Sequence, residues 1–234
     1  MSKTVVLLSG GMDSTVLAYY LKSRGDELRA ISFDYGQRHA RELACARDQA
    51  SLLGIPYCRV DLHSLARVLP GSSQTDRSIE VPTGHYTQEN MKATVVPNRN
   101  MILLAVAIGH AIAYGCDSVA YAAHAGDHAI YPDCRPVFAD AMQAAALLCD
   151  YKMIELERPF IFKTKADIVT IGCKLEVNFE RTWSCYAGED RHCGQCGTCV
   201  ERREAFFLAG VPDPTVYAEQ APALEALIAK GFHI

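Results

Sequence analysis

The chain has 234 residues, of which half are hydrophobic and 21% are charged. This composition is typical of a globular protein, and the length suits one domain with an appendage or at most two small domains. The formal net charge of -4 argues against a strongly basic nucleic-acid binder. No apolar run approaches the ~20 residues of a membrane span, and the N-terminus lacks the features of a signal peptide. We therefore expect a cytoplasmic protein that binds neither nucleic acid nor membranes.

Apolar runs of strand length alternate with segments of helical period along the chain. Strands are expected at residues 4–8, 28–36, 56–62, 117–124 and 153–160. Helices are expected at residues 14–25, 38–54, 98–115, 135–148, 163–175 and, in the tail, 222–231. This order predicts an α/β fold, a doubly wound and mostly parallel five-stranded sheet that binds ligands beyond the carboxyl ends of its strands. Residues 65–95 have no periodic pattern and are expected to form a functional loop or lid.

A glycine-rich turn, LLSGGMDST at residues 7–15, joins the first strand to the first helix. Glycines allow positive φ and a close approach of the backbone to a ligand. The free N–H groups at the start of the following helix favour an anion. No lysine follows the glycines, so the turn is not a Walker A loop, and it suits a pyrophosphate that leaves. A plain turn capped by Asp13 or Ser14 is the alternative.

Four of the ten cysteines lie within fifteen residues, as Cys185, Cys193, Cys196 and Cys199. In a reducing compartment such a cluster suggests a metal before a disulfide. Four thiolates close a tetrahedral Zn²⁺ site with no open position, which is the structural type. An iron–sulfur cluster and scattered free thiols are the alternatives.

The glycine turn resembles the pyrophosphate loop of the ATP-pyrophosphatase (PP-loop) family, which splits ATP between its α- and β-phosphates and adenylates a substrate oxygen. The resemblance implies a fold like that of the adenine nucleotide alpha-hydrolases, with Mg²⁺ accompanying the ATP. It also implies that the pyrophosphate is held by Ser9, Gly10, Gly11, Asp13 and Ser14. The wider ATP-binding set that it implies is Leu8, Ser9, Gly10, Gly11, Met12, Asp13, Ser14, Thr15, Val16, Leu17 and Ala18.

Four further stretches narrow the resemblance: FDYGQRH at 33–39, VPNRN at 96–100, GDHAIYPDCRPVF at 126–138 and TWSCYAG at 182–188. With the glycine turn, they closely resemble the 7-cyano-7-deazaguanine synthases (QueC family) over nearly the whole chain. The resemblance implies that the carboxylate of 7-carboxy-7-deazaguanine is adenylated and displaced by ammonia, and that the amide is adenylated in turn and loses AMP to give the nitrile. Because the chain leaves no room for a glutaminase domain, free ammonium is the expected nitrogen source.

Cationic residues near the predicted ligand edge are the candidates for contacts to phosphate or substrate. Arg38 and His39 follow the second strand, and Arg99 stands at a helix start, where a cation opposes the helix dipole. Lys163 and Lys165 open the last sheet helix, and one of them is expected to face a transferring phosphate. The catalytic set expected from these positions and the resemblance is Asp13, Ser14, Arg38, Arg99, Lys163 and Lys165.

The loop after the fourth strand is expected to recognise the deazaguanine ring, since a carboxylate can accept from its N–H edge; a capped turn around Pro132 is the alternative. The substrate-binding set is Tyr35, Gln37, His39, Asp127, Tyr131, Asp133 and Arg135. Cys134 could be a nucleophile, but adenylation needs none.

Two other function classes match parts of this pattern. A PP-loop enzyme acting on tRNA is disfavoured by the acidic net charge and by the lack of an RNA-binding appendage. A zinc-stabilised nucleotide-binding module without catalysis is disfavoured by Asp13 in a complete loop.

The expected organisation is a PP-loop domain at residues 1–180, with a zinc-binding segment and helices at 181–234 packed on the same domain. The apolar segment VYAEQAPALEALI at 216–228, together with the resemblance, favours a homodimer.

Overall fold

Five parallel strands form one sheet in the computed structural model, which describes residues 1–187 and 190–233. The strands are β1 (Lys3–Leu7), β2 (Glu27–Asp34), β3 (Tyr57–Asp61), β4 (Ser118–Ala120) and β5 (Glu155–Glu157). Their order across the sheet is β3-β2-β1-β4-β5. The chain therefore adds β2 and β3 on one side of β1, and then β4 and β5 on its other side. Val5 pairs with Arg29 on one side and with Val119 on the other. The doubly wound five-stranded sheet predicted from the sequence is confirmed.

Helices cover both faces of this sheet. They are α1 (Met12–Ser23), α2 (Arg41–Leu53), α3 (Ser64–Val68), α4 (Arg99–Ala113), α5 (Pro136–Leu148), α6 (Lys165–Lys174), α7 (Gly197–Leu208) and α8 (Leu224–Ala229). Short 3₁₀ segments lie at Glu89–Thr94, Ala125–Ala129, Pro132–Cys134 and Phe179–Arg181. Among the described residues, no helix is long and apolar enough to cross a membrane.

Two apolar cores flank β1, because successive side chains of a strand point to opposite faces. Val5 packs in one core with Leu104 of α4, and Val6 packs in the other with Leu17 of α1 and Ile168 of α6. Both valines are fully buried. The continuous apolar run of β1 is what a strand covered on both faces requires.

The ends of several elements differ from the sequence prediction. β4 stops at Ala120 and β5 spans only three residues, because beyond Ala120 the chain leaves the ladder and lines a cavity. α1 begins at Met12, two residues early, since Gly11 takes the extended N-cap conformation. Residues 65–95 contain the end of α3 and a 3₁₀ turn, and they bury Tyr86 and Met91 in the core.

The residues after 181 pack against the same helical layer. α7 lies along α6, and Phe206 meets Phe179 edge-on with ring centroids 5.1 Å apart. Arg202 of α7 is fully buried and bonds Asp213 of the tail (3.2 Å), Thr182 and the Phe179 carbonyl. The division at residue 180 nevertheless remains a prediction.

Candidate active site and metal centre

The loop between β1 and α1 has a backbone that only glycine can adopt at one position. Gly10 has φ +90°, and a Cβ there would lie 2.0 Å from the carbonyl oxygen of Glu42 on α2. Trp183 lies in the segment that leads into the cysteine cluster, and its backbone N–H donates to the Gly10 carbonyl (2.9 Å). The loop is therefore wedged between α2 and the C-terminal part of the chain.

The Ser14 hydroxyl fastens this loop from inside α1. It lies 3.0 Å from the Ser9 hydroxyl, accepts from the Ser9 N–H (3.2 Å) and can donate to the Gly11 carbonyl (3.2 Å). Asp13 and Ser14 lie in the first turn of α1, and neither side chain caps the helix. The capped-turn alternative is therefore wrong in its detail, because extended Gly11 takes the N-cap position itself.

A cavity of about 220 Å³ opens at the carboxyl ends of β1, β2 and β4. It joins Ser9, Asp13 and Ser14 of the glycine turn to residues from five other segments. The lining comprises Leu7, Leu8, Ser9, Asp13, Ser14, Ile31, Ser32, Phe33, Tyr35, His39, Glu42, Arg99, Asn100, Leu103, Tyr121, Ala122, Ala123, Asp127, Cys134 and Tyr186. Of the eleven predicted catalytic and substrate-binding residues outside the turn, four line this space, namely Tyr35, His39, Arg99 and Asp127.

Arg99 is the cation of the cavity wall. Its guanidinium donates to the Tyr35 hydroxyl (3.4 Å) and lies 6.0 Å from the ring centre of Tyr131. No carboxylate of the described residues forms an ion pair with it. A half-buried guanidinium without an acidic partner attracts an anion, because burial leaves its charge poorly solvated.

Asp13 belongs to a cluster of charged side chains behind the loop. Its Oδ2 lies 3.4 Å from Lys165 Nζ and 3.9 Å from His124 Nε2, and Lys165 also bonds Glu201 Oε2 at 2.6 Å. Burial opposes the charge of Lys165, but the carboxylates of Asp13, Glu201 and Asp127 outweigh it and raise its pKa. Burial raises the pKa of Glu201, against the effects of Lys165 and His124. Lys165 therefore stays protonated beside the loop.

Asp127 connects this cluster to the cavity. Its Oδ1 accepts from the Tyr86 hydroxyl (2.9 Å), and its Oδ2 lies 3.6 Å from His124 Nε2. Burial would raise the pKa of Asp127, but His124, Lys165 and the bond from Tyr86 lower it below its ordinary value. Asp127 is thus an ionised acceptor at the cavity wall.

His39 of the FDYGQRH stretch and Glu42 of α2 form a pair of titratable residues in the cavity wall. His39 Nε2 lies 3.3 Å from Glu42 Oε1, and the imidazole stacks on Tyr186 with ring centroids 4.8 Å apart. His39 is only 5% exposed. Its Nδ1 is buried and has no hydrogen-bond partner among the described atoms.

Gln37 fixes the carboxylate of that pair. Its amide Nε2 donates to Glu42 Oε1 (3.2 Å) and to the Phe33 carbonyl (3.0 Å), while its Oε1 accepts from the Tyr35 N–H (2.9 Å). Gln37 therefore lies behind the cavity wall and acts on it through Glu42.

Several predicted residues lie outside the cavity lining. Arg38 donates to the carbonyls of Asp76 and Ile79 (2.9 Å each) and so holds the 72–79 segment.

Other residues predicted after the fourth strand also lie outside the lining. Asp133 accepts from the Asn100 N–H at the start of α4 (3.0 Å), and exposed Arg135 donates to the His128 carbonyl (2.9 Å). Lys163 is exposed, and Tyr131 is buried with its hydroxyl 2.6 Å from Thr94 Oγ1. Their assigned roles remain predictions.

Sequence patterns missed the residues that pair with the predicted ones. The pairing of Glu42 with His39 could have been predicted from the sequence. Glu42 lies three positions after His39 at a helix start, where side chains at this spacing are neighbours. His124 and Glu201 carry no local pattern, because their partners Asp13 and Lys165 are distant in sequence. Cys134, considered as a nucleophile, lines the cavity, but burial raises the pKa of its thiol well above the ordinary value. The thiolate that a nucleophile needs is thus disfavoured.

Cys185, Cys193, Cys196 and Cys199 bring their sulfur atoms together, all within 4.8 Å of one another. The N–H groups of Cys193 and Cys196 donate to the sulfurs of Cys185 and Cys193, respectively (3.3 Å each). Such bonds stabilise thiolates, and four thiolates at this spacing fit one tetrahedral ion. Gly188 of the predicted TWSCYAG stretch lies outside the described residues.

Comparisons with known proteins identify the family of the chain. Residues 3–210 match the family model described as "Queuosine biosynthesis protein QueC". The 7-cyano-7-deazaguanine synthase of Paracoccus denitrificans (strain Pd 1222) is 53% identical over 219 residues, which are 93% of this chain and 94% of that protein. The enzyme of the same name from Brucella ovis (strain ATCC 25840 / 63/290 / NCTC 10512) is 52% identical over the same shares.

Solved structures show the same fold at low sequence identity. A 4-thiouridine synthetase in complex with RNA and ATP has a TM-score of 0.53 at 18% identity, over 99% of this chain and 53% of that one. The U34-tRNA thiolase NcsA from Methanococcus maripaludis, solved with its 4Fe-4S cluster, has a TM-score of 0.51 at 16% identity, over 99% of this chain and 70% of that one.

Proposed function

Because the chain belongs to the QueC family of queuosine biosynthesis proteins, we propose that it is an ATP-dependent carbon–nitrogen ligase that makes 7-cyano-7-deazaguanine. Its substrates are 7-carboxy-7-deazaguanine, ammonia and ATP, and each of two adenylations releases diphosphate and then AMP. The observation that supports this best is the shared cavity, in which the glycine turn and Arg99, which has no acidic partner among the described residues, line one space.

The turn forms the ATP end of the site. Backbone N–H groups of the turn and of the start of α1 would hold the pyrophosphate. The positive charge of Lys165 lies behind these groups and would offset the negative charge of the departing pyrophosphate. Asp13 Oδ1 is buried and has no partner among the described atoms, which fits a hard oxygen ligand for Mg²⁺. The ion would neutralise phosphate charge.

Arg99 marks the other end. A guanidinium suits the substrate carboxylate, because the two groups form charge-assisted hydrogen bonds. The aromatic rings of Tyr35 and Tyr186 line the same wall and suit a flat heterocycle, and ionised Asp127 can accept from a ring N–H. Holding carboxylate and α-phosphate in one cavity replaces a bimolecular encounter by a positioned reaction.

We assign the four-cysteine site to one structural Zn²⁺ per chain. Sulfur atoms within 4.8 Å of one another suit a single ion with no open position, whereas a cluster of several irons would hold its ligands farther apart. Elemental analysis of purified protein should find one zinc per chain and no visible absorption band. Iron with visible absorption would contradict the assignment.

The homodimer is also a proposal. Val216 and Ile228 of the predicted apolar segment are 66% and 37% exposed, so this segment presents apolar surface to solvent. Light scattering, which measures the mass of the assembly, should give twice the mass of one chain.

The decisive experiment supplies ATP, Mg²⁺, ammonium and 7-carboxy-7-deazaguanine to the purified protein and identifies products by mass spectrometry. We expect the nitrile, with two AMP and two diphosphate per nitrile. An amide that accumulates would retain the first adenylation and refute the second. No AMP with any of these substrates would refute the proposal, and a tRNA-dependent formation of AMP would replace it.

A further inference from the structure

The proposed reaction needs a base that the residues assigned so far do not supply. When ammonia attacks the acyl adenylate, the new C–N bond forms, and the nitrogen must lose a proton as the bond to AMP breaks. The nitrogen of the adenylated amide loses one proton to give the neutral imidate and a second proton as the bond to AMP breaks. A single base therefore acts twice and releases the first proton to solvent in between. Asp13 and Lys165 are committed to the phosphates, and Arg99 cannot accept a proton at neutral pH.

We infer that His39 is the general base of these steps and that Glu42 is its positioning residue. This inference rests on the proposed function, and it deepens the site instead of adding another. Three observations on the described residues support it: the hydrogen-bonding state of the imidazole, the rigidity of its support, and its place in the cavity.

Glu42 selects the tautomer of His39. A carboxylate only accepts hydrogen bonds, so with Glu42 Oε1 3.3 Å from His39 Nε2, the ring hydrogen belongs on Nε2. Nδ1 then carries the lone pair. That atom is buried and has no partner among the described atoms, although a buried nitrogen without a partner costs free energy. A ligand that donates a hydrogen bond in the cavity would remove that cost.

Support from the backbone holds the pair in place. Gln37 ties Glu42 to the end of β2 through the Phe33 carbonyl and the Tyr35 N–H, and Tyr186 covers one face of the imidazole. This is the arrangement of nucleophile-activating and proton-accepting dyads, in which a carboxylate orients a histidine. It also accounts for the glutamine, histidine and glutamate of the FDYGQRHARE stretch together.

His39 is the only imidazole among the described residues that line the cavity. His124 lies behind it, but its Nδ1 accepts from the Gly126 N–H (3.1 Å) and its Nε2 faces Asp13 and Asp127. His124 is thus set up to donate and not to accept. The charged and titratable groups that share the cavity with His39 are Glu42, Tyr35, Tyr186, Arg99, Asp13, Asp127, Tyr121 and Cys134.

The test separates adenylation from amination. Exchange of labelled pyrophosphate into ATP, dependent on 7-carboxy-7-deazaguanine and without ammonium, reports the first adenylation, which needs no base. Quenched-flow analysis with ammonium then reports amide and nitrile formation.

The variant is His39→Gln, whose amide can still donate to Glu42 but has no basic nitrogen. The matched control is His63→Gln, an exposed histidine that also lies beside a carboxylate, Asp61 (2.7 Å).

We expect His39→Gln to slow exchange by no more than about threefold and to slow amide formation by about 10² to 10⁴-fold, the usual contribution of general acid–base catalysis. Added imidazole should partly restore amination in His39→Ala. Glu42→Gln should slow amide formation and leave exchange unchanged, because Glu42 holds the imidazole through its Oε1. His63→Gln should match the wild type.

Equal losses of exchange and amination in a folded His39→Gln protein would overturn the inference and make His39 a binding residue. Unchanged amination would overturn it as well. If the wild type itself gives no substrate-dependent exchange, the proposed function fails first and this inference fails with it. Thermal melts of each variant identify a folding defect, and in that case imidazole rescue of His39→Ala decides.

Discussion

Gly10 combines two constraints that can be measured separately. Its φ of +90° disfavours any side chain, and an added Cβ would meet the Glu42 carbonyl at 2.0 Å. Positive φ alone costs roughly 1–2 kcal/mol, and a clash with backbone adds about 1–3 kcal/mol.

We therefore expect Gly10→Ala to lower the free energy of unfolding by about 2–5 kcal/mol and to abolish pyrophosphate exchange, as measured in urea melts and by isotope exchange. The matched control is Gly54→Ala, with φ +63° and no atom within 4 Å of the added Cβ, which should cost only the conformational part. Equal costs for both substitutions would show that the contact with α2 is unimportant.

The residues of the site divide according to how far apart their partners lie in sequence. Ser9, Asp13 and Ser14 could be predicted, because a glycine turn between a strand and a helix has a local pattern. The four cysteines could be predicted from spacing alone. Glu201 and His124 could not, because their significance comes from contacts with Lys165 and Asp13, which only the folded chain creates. The guanidinium of Arg38, predicted as a ligand contact, bonds two backbone carbonyls, and its contact with a ligand stays a prediction.

At the scale of elements, α7 is fastened to the tail by a buried ion pair. Arg202 is fully buried, and its Nε donates to Asp213, which also accepts from Thr215 and Tyr217. Burial alone would raise the pKa of Asp213, but Arg202 and these hydrogen bonds outweigh it and lower the pKa.

Removing the carboxylate leaves a buried charge unpaired, so Asp213→Asn should destabilise the chain by about 3–5 kcal/mol in denaturant melts. Because the folded pKa lies below the unfolded value of about 3.9, the pair stabilises the wild type above that pH. This stabilisation is lost as the pH falls through the folded pKa, and the variant should lack that part of the acid dependence. Glu27→Gln, which breaks the exposed pair with Lys3, should change stability by less than about 1 kcal/mol. Similar effects of both substitutions would contradict the buried pair.

The order of elements was predictable at the same scale, since periodic apolar patterns identified all five strands. The ends of β4 and β5 were not, because residues after Ala120 keep an apolar, strand-like composition while lining a cavity. Residues 65–95 lack periodicity yet bury Tyr86 and Met91, so their packing depends on distant partners. Whether this segment closes on substrate remains a prediction, as does the cytoplasmic location.

At the scale of the whole molecule, the metal site and the sheet share one helix. α7 carries Cys199, and seven residues later it places Phe206 in the core beside α1 and α6. We expect a strong chelator to lower the melting temperature of the whole chain in a single transition, because metal binding is linked to folding. Calorimetry checks this, and restored melting after zinc is added back is the control. An unchanged melt, or a separate low-temperature transition limited to the tail, would contradict it.

The hydrogen bond from the Trp183 backbone N–H to the Gly10 carbonyl joins the segment that leads into the four-cysteine site to the glycine turn of the cavity. Trp183 is two residues before Cys185, and Gly10 is the bend of the turn that we propose to hold the phosphates. This hydrogen bond gives the two sites a direct structural connection, so we expect the order of one to affect the other. Since coupling free energies are reciprocal, nucleotide in the cavity should slow the escape of metal, and loss of metal should weaken the hold on nucleotide. If the metal is the proposed zinc, removing it should therefore lower the proposed ATP turnover of this chain as well as its stability.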